Sequence, residues 1–366
     1  MVELTVLAVV GYILTSLPLP MYGLFVGILD GLTRFLGNRM WYYRLDEWVY
    51  KHFQRIVLMF IKDIGATETV MYGDAPQPEK AVLICNHQCT ADAFIIDMVA
   101  HQGSRLGHLQ FLLKNSLKYL PLFGPYWKQH GFVYLKRSWA SDKLAIERNL
   151  ALTQERPVPY WMCLFPEGTR RTHNPKPPSR PDIPTYPHVL APRYKGFIAC
   201  IEQLRSDATA IYDLTIAYDH KDANGQHPEP PSIHGILHPK YHRVACHVDR
   251  IDMSTVPQGE EAIRDWLSHR WEAKNEYVLS LFLMAPHPPA APVPLTHNHP
   301  HACSLLAKFY EGKDFPDKRG AFQIGLEHYF WDIGIAVLVT LFSYGTVFGS
   351  FGCRDARAEA GESARA

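Results

Sequence analysis

The chain has 366 residues, 47% of them hydrophobic and 20% charged, with a formal net charge of +1. That is enough chain for one large or two modest domains around a buried core, and the near-neutral balance excludes the bulk electrostatic pull expected of a nucleic-acid-binding protein. Seven scattered cysteines with no C-x-x-C pair exclude a disulfide framework and suit a reducing compartment.

No charged residue occurs between Leu4 and Leu29, or between Ile333 and Cys353. Both runs approach the roughly 20 apolar residues that cross a bilayer core. Pro18 and Pro20 interrupt the first, which predicts a membrane helix motif over 1–37, either one kinked span or two half-helices. Glu3 is the first charge, which argues against a cleaved signal peptide. Arg34, Arg39 and Arg44 follow, so the positive-inside tendency places what comes next on the cytosolic side. Residues 38–80, with "WYYRLDEWVYKHFQRIVLMF", read as an amphipathic interfacial segment or as a helix packed on the core.

From 81 to 284 strand-like and helix-like runs alternate, which predicts an α/β domain with a largely parallel sheet flanked by helices. "AVLIC", "HLQFLLK", "GFVYLKR", "YWMCLF", "ATAIYDLTIAYD" and "HRVACHVDRIDM" are the strand candidates. The helix candidates are "ADAFIIDMVAHQ" capped by Thr90, 141–156 opened by Ser141, 196–205 and 259–282. A Pro/His-rich linker over 285–303, a membrane region with a transmembrane helix over 304–353 and a disordered tail over 354–366 complete the expected organisation.

Four stretches carry candidate chemistry. In "CNHQCTAD", Asn86 and His87 follow the strand "AVLIC", and Asp92 stands five residues beyond His87. Positions i and i+5 cannot share one face of a continuous helix. With His87 in the strand-to-helix turn and Asp92 in the first helical turn, the carboxylate can hold one ring nitrogen and leave the other free to take a proton. Asp92 as a plain helix-terminus residue beside a surface His87 is the alternative. In "LFPEGTR", Gly168 permits a tight turn after a strand. Thr169 and Arg170 are then set outward, with Arg170 suited to phosphate, and Glu167 fits such a turn if it contacts a hydroxyl or holds Arg170. "GFVYLKR" ends a strand in Lys136 and Arg137. "HVLAPRYKGF" adds Pro192, Arg193 and Lys195. There is no G-x-S-x-G elbow, P-loop or G-x-G-x-x-G, and "HNHPHAC" in the linker reads as a solvated loop, so no metal site is expected.

In order and spacing, these blocks resemble the glycerolipid acyltransferase family, the 1-acylglycerol-3-phosphate acyltransferases. "NHQCTAD" is similar to the family's N-H-x4-D block, "PLFGPYWKQHGFVYLKR" to its G-x-x-F-I-x-R block, "FPEGTR" to its F-P-E-G-T-R block, and "HVLAPRYKGF" to the proline block that follows. Within the family, the runs around them look most like epsilon-type lysophosphatidic acid acyltransferases and the related lysocardiolipin acyltransferases. The resemblance implies that His87 and Asp92 are catalytic. It also implies that Asn86, Gly131, Arg137, Glu167, Gly168, Thr169, Arg170 and Pro192 bind substrate. Acyl-CoA is implied as a co-substrate with no cofactor, and a lysophospholipid and the bilayer as partners. The expected setting is the endoplasmic reticulum or mitochondrial outer membrane, with the catalytic domain facing the cytosol. Two departures stand out: Lys136 where many members carry an acid, and a Pro-rich segment, "HNPKPPSRPDIPTYP", after "EGTR".

Overall fold

A computed structural model of the chain describes residues 18–59, 61, 68–120, 123–171, 184–219 and 243–283. Helix α1 (Pro18–Phe35) opens on the two prolines that suggested an interruption. They sit in the first turn, where an N–H has no intrahelical acceptor, so they start this helix rather than bend it. Among the described residues no helix is long and apolar enough to cross a membrane. The expected C-terminal membrane helix, linker and tail lie outside the described residues.

Helix α2 (Met40–Met59) buries Tyr42, Val49, Tyr50, Phe53 and Ile56. Of the two readings of this stretch, packing on the core accounts for that face. The chain then adds a strand that periodicity did not reveal, β1 (Glu68–Gly73). The alternating region follows as β2 (Ala81–Cys85), α3 (Asp92–Gln102), β3 (Leu109–Lys114), a short α4 (Phe123–His130), β4 (Val133–Leu135), α5 (Trp139–Gln154), β5 (Trp161–Leu164), α6 (Tyr194–Leu204), β6 (Ala210–Asp219), β7 (Arg243–Asp252) and α7 (Glu260–Leu283). Two expected helix starts change. The residue before α3 is Ala91, with no side-chain cap, because Thr90 Oγ1 instead accepts a hydrogen bond from Arg170 Nη1 at 2.6 Å. Helix α5 begins at Trp139, and Ser141 Oγ donates back to Ser138 O.

The seven strands form one sheet in the order β1-β7-β6-β2-β5-β3-β4. Every described pairing is parallel except β6 with β7. β2 is central and wholly buried, and reads as a continuous apolar run because both faces are covered. Leu83 and Cys85 face a core shared with α2, α3 and α4, while Val82 and Ile84 face a second core with α5, α6 and α7. In a parallel sheet the loops after the strands converge at the carboxyl edge. The loops after β2, β4 and β5 are the ones that carry His87, Arg137 and Glu167.

Polar ties fix the sheet and its last helix. At the edge opposite those loops, Arg250 grips Glu79 through Nε and Nη2, both at 2.7 Å. Thr209 and Tyr212 add hydroxyl donors at 2.6 and 2.5 Å, so one carboxylate joins β2, β6 and β7. On α7, Arg270 Nε meets Asp213 Oδ2 at 2.6 Å, and the buried Lys274 ammonium meets Asp213 Oδ1 and the Leu214 carbonyl.

Burial pushes the Glu79 carboxyl up, but the hydrogen bonds from Arg250, Thr209 and Tyr212 outweigh it and hold it at about 2, against an ordinary 4.5. A depressed carboxyl contributes stability that is complete above its unfolded pKa and is lost as pH falls through the folded value. Stability measured by urea unfolding is therefore expected to fall between pH 4.5 and about 2, and Glu79→Gln to be less stable at pH 7 with a shallower acid slope. An equal acid slope in the variant contradicts this assignment.

Candidate active site

The site is built where β2 ends. Asn86, wholly buried, turns its side chain onto β6: Nδ2 donates to Ile216 O at 2.9 Å, and Oδ1 accepts from Ile216 N at 2.8 Å. Gln88 Nε2 donates to the same carbonyl at 2.5 Å. These side chains extend the sheet's hydrogen bonding past the last residue of β2 and hold the loop rigid. Asn86, expected at the substrate, is thus occupied in positioning its neighbour.

That neighbour is His87. Its Nδ1 lies 2.9 Å from Asp92 Oδ2. The same oxygen accepts the backbone N–H groups of Gln88 at 2.7 Å and Cys89 at 2.9 Å. Oδ1 accepts from Tyr218 OH at 2.8 Å and from Cys89 Sγ at 3.5 Å. Asp92 has no exposure to water, yet each of its oxygens is met by donors, as a buried polar group requires. An acceptor facing Nδ1 places the ring proton there, which leaves Nε2 with its lone pair. The His87 side chain is 20% exposed. Its ring stacks on Phe165 with centroids 4.0 Å apart and planes 22° apart, so one face is fixed.

The turn after β5 lies beside it. Gly168 N donates to Phe165 O at 2.9 Å, and φ at Gly168 is +68°. A Cβ there would stand 3.0 Å from Arg193 Cδ, so both conformation and space call for glycine. The turn is tied to the histidine loop by Arg171 N to His87 O at 2.8 Å, and to the chain before α6 by Arg193 N to Pro166 O at 2.7 Å. Pro192 directly precedes that second tie. Arg137 reaches in from the end of β4, Nη2 donating to Gly168 O at 3.0 Å, from a backbone with φ +66°. Such a φ is unusual for a non-glycine residue. Arg170 binds Thr90 beside the histidine loop. Arg137, Thr169, Arg170 and Arg193 are exposed at this rim, as is Lys136, whose backbone N–H donates to Asp142 Oδ1 at 2.7 Å. Gly131 sits apart from these contacts, in the turn between α4 and β4 with φ +114°, where a Cβ would meet Arg156 and Gln110.

Glu167 does not join the exposed rim. It is 2% exposed, Trp271 Nε1 of α7 donates to its Oε1 at 3.3 Å, and Oε2 receives no well-formed hydrogen bond. Burial drives its carboxyl up to about 8, against the opposing pull of the His87 amide and the Trp271 indole. Periodicity gave no sign of Tyr218, Gln88 or Trp271. Each reads as an ordinary strand, loop or helix residue until the strand order is known.

Two family models match in tandem: an acyltransferase model over residues 69–219 and an acyltransferase C-terminus model over 235–283. The mouse 1-acyl-sn-glycerol-3-phosphate acyltransferase epsilon is 32% identical over 251 residues, covering 66% of this chain and 69% of the relative. The chain belongs to the 1-acyl-sn-glycerol-3-phosphate acyltransferase family. A probable 1-acyl-sn-glycerol-3-phosphate acyltransferase 5 of Arabidopsis thaliana is 28% identical over 219 residues, with 58% of this chain and 56% of that protein covered. The mouse delta enzyme is 27% identical over 231 residues, covering 60% and 59%. The chain is an acyltransferase of this type, and the second family model covers α7, the helix that carries Trp271 and Lys274.

The acid in the acyltransferase "EGTR" turn carries a test of its own. A carboxyl whose folded pKa is raised binds its proton more tightly when folded, so its stability contribution is complete below 4.5 and is lost as pH rises towards about 8. Glu167→Gln, which keeps shape and neutrality, is expected to remove that loss and to be more stable than the parent at pH 8 by about 2–4 kcal/mol. Urea unfolding at pH 5.5 and pH 8 measures it, and parallel losses in both proteins would show that Glu167 is ionised throughout.

Proposed function

We propose that this enzyme transfers a fatty acyl group from acyl-CoA to the free hydroxyl of lysophosphatidic acid, giving phosphatidic acid and CoA. The observation that carries the reading is a histidine held through Nδ1 by the buried Asp92, with its other nitrogen open beside an arginine-lined turn. Nε2 of His87 takes the proton of the acceptor hydroxyl as its oxygen attacks the thioester carbonyl. The C–S bond breaks as the C–O bond forms, and the imidazolium returns its proton to the leaving thiolate. Asp92 stabilises the imidazolium between those events. No acyl-enzyme is needed, which agrees with the lack of a nucleophile elbow. Arg137 and Arg170, with Lys136 and Arg193 nearby, suit a phosphomonoester, and holding it beside His87 supplies the positioning term.

The relatives' names support the acceptor. For membrane association the support is an apolar face on the first two helices, where Ile28, Leu32, Phe35, Leu36 and Trp41 are each half or more exposed. We place that face against the bilayer of the endoplasmic reticulum or the mitochondrial outer membrane, with the catalytic domain on the cytosolic side.

The deciding assay is CoA thiol release by the detergent-solubilised full chain, with oleoyl-CoA and a panel of lysophospholipids. Release is expected with lysophosphatidic acid and is expected to fall by about 10²–10⁴ in His87→Ala at unchanged thermal stability. Acyl exchange between phospholipids without CoA would replace this reading with a transacylase. A dominant rate with lysocardiolipin or lysophosphatidylinositol would replace the acceptor. Arg170→Ala is expected to raise the KM for lysophosphatidic acid about tenfold or more and leave that for oleoyl-CoA unchanged. A change confined to oleoyl-CoA would move Arg170 to the donor side.

A further inference from the structure

We propose that Tyr218 is a positioning residue of the His–Asp pair: its hydroxyl holds Oδ1 of Asp92 so that Oδ2 stays turned to His87 Nδ1. Four observations carry this. Tyr218 OH donates to Asp92 Oδ1 at 2.8 Å, and Tyr218 is 4% exposed. Water is therefore a poor substitute for the donor. Among the described residues, the other donor to Oδ1 is the Cys89 thiol at 3.5 Å, a weak one. Tyr218 is placed by the same device that places His87. Asn86 clasps both polar groups of Ile216, and Tyr218 lies two residues further along β6 on the same face. The clasp thus sets the span between the histidine loop and the phenol directly.

The ring keeps its proton. Burial pushes the Tyr218 phenol well above its usual range, and the Asp92 charge beside it adds to that, so the hydroxyl remains a donor across the working range. Of the ionisable groups around Asp92, His87 and the phenol face its two oxygens, the Cys89 thiol touches Oδ1, Glu167 lies across the histidine loop, and the buried Cys85 and Cys246 thiols feel both its charge and that of Lys274. Cys89 is likewise held protonated by burial. The phenol is then the neutral dipole that draws carboxylate charge away from His87 and fixes the plane of the group.

Removing it has two separable consequences. More negative charge is left on Oδ2, which favours the imidazolium, and the carboxylate is freer to rotate, which weakens alignment. The test uses the detergent-solubilised full chain with Tyr218→Phe, Asp92→Asn and the double variant. It follows the ring titration of His87 by ¹⁵N NMR of histidine-labelled protein and the acidic limb of kcat/KM for acyl transfer. The expected result is that Tyr218→Phe raises the His87 titration by about half a pH unit or more and moves the acidic limb upward with it. The kcat is expected to fall about tenfold, and the titration shift to vanish in the Asp92→Asn background. An unmoved titration in Tyr218→Phe, or the same shift with and without the Asp92 carboxylate, overturns the assignment and leaves Tyr218 a packing residue. The kinetic arm rests on the proposed acyl transfer and the NMR arm does not. A parent protein with no transferase activity would therefore refute the function, while the titration still decides the role of Tyr218.

Discussion

A carboxylate with no exposure to water sits at the centre of this site, and the surrounding structure is arranged to make that tolerable. Burying an ion of this kind costs several kcal/mol unless donors replace its hydration. Asp92 collects five: an imidazole, two backbone amides, a phenol and a thiol. The two amides belong to Gln88 and Cys89, so the loop must wrap around the carboxylate to supply them. That wrapping explains the spacing of His87 and Asp92. Five residues is the length that lets a strand end, turn its amides inward and start a helix at the acid it encloses.

A second carboxyl, Glu167, lies across the same loop in the opposite condition. Trp271 meets it at 3.3 Å, and it is buried deeply enough to be held up to about 8 despite that bond and the His87 amide. Asp92 holds His87, and Glu167, whose proton burial retains up to about pH 8, adds no negative field where Arg137 and Arg170 reach the rim. An ionised Glu167 would oppose the arrival of an anionic acceptor at those arginines. The indole that meets it stands on α7, and α7 is bound to the sheet by Arg270 and Lys274 on Asp213. The helix matching the separate C-terminal family model is in this sense part of the site's wall.

The alternating fold, the central strand β2 and the pairing of His87 with Asp92 were legible in the sequence because each rests on local pattern. An apolar run, a turn and a short spacing suffice. What stayed hidden depends on strand order. Tyr218 is one more aromatic in a buried strand until β6 is known to lie beside β2. The closure of the Asn86 amide on Ile216 shows only once that strand order is known. Strand β1 escaped notice because it follows a strongly amphipathic helix and has only six residues. Thr90 was misread as a cap for a related reason, since its partner, Arg170, is distant in sequence. The prolines at 18 and 20 stand in the first turn of α1, since proline marks the start of a helix as readily as its interruption.

The sheet also explains why the site divides into a rigid part and an adaptable one. At one edge Glu79 locks β2, β6 and β7 together, and at the other the Asn86 clasp carries the β2–β6 pairing into the histidine loop. His87 and Asp92 therefore stand beside a section of the sheet that is tied at both ends. The cations do not. Arg137 departs from the end of a three-residue strand with a left-handed backbone, held by one hydrogen bond to the Gly168 carbonyl, and Arg170 and Arg193 rise from exposed turns. These cations are long side chains on short supports, whereas the His87–Asp92 pair is held by the sheet's own hydrogen bonding.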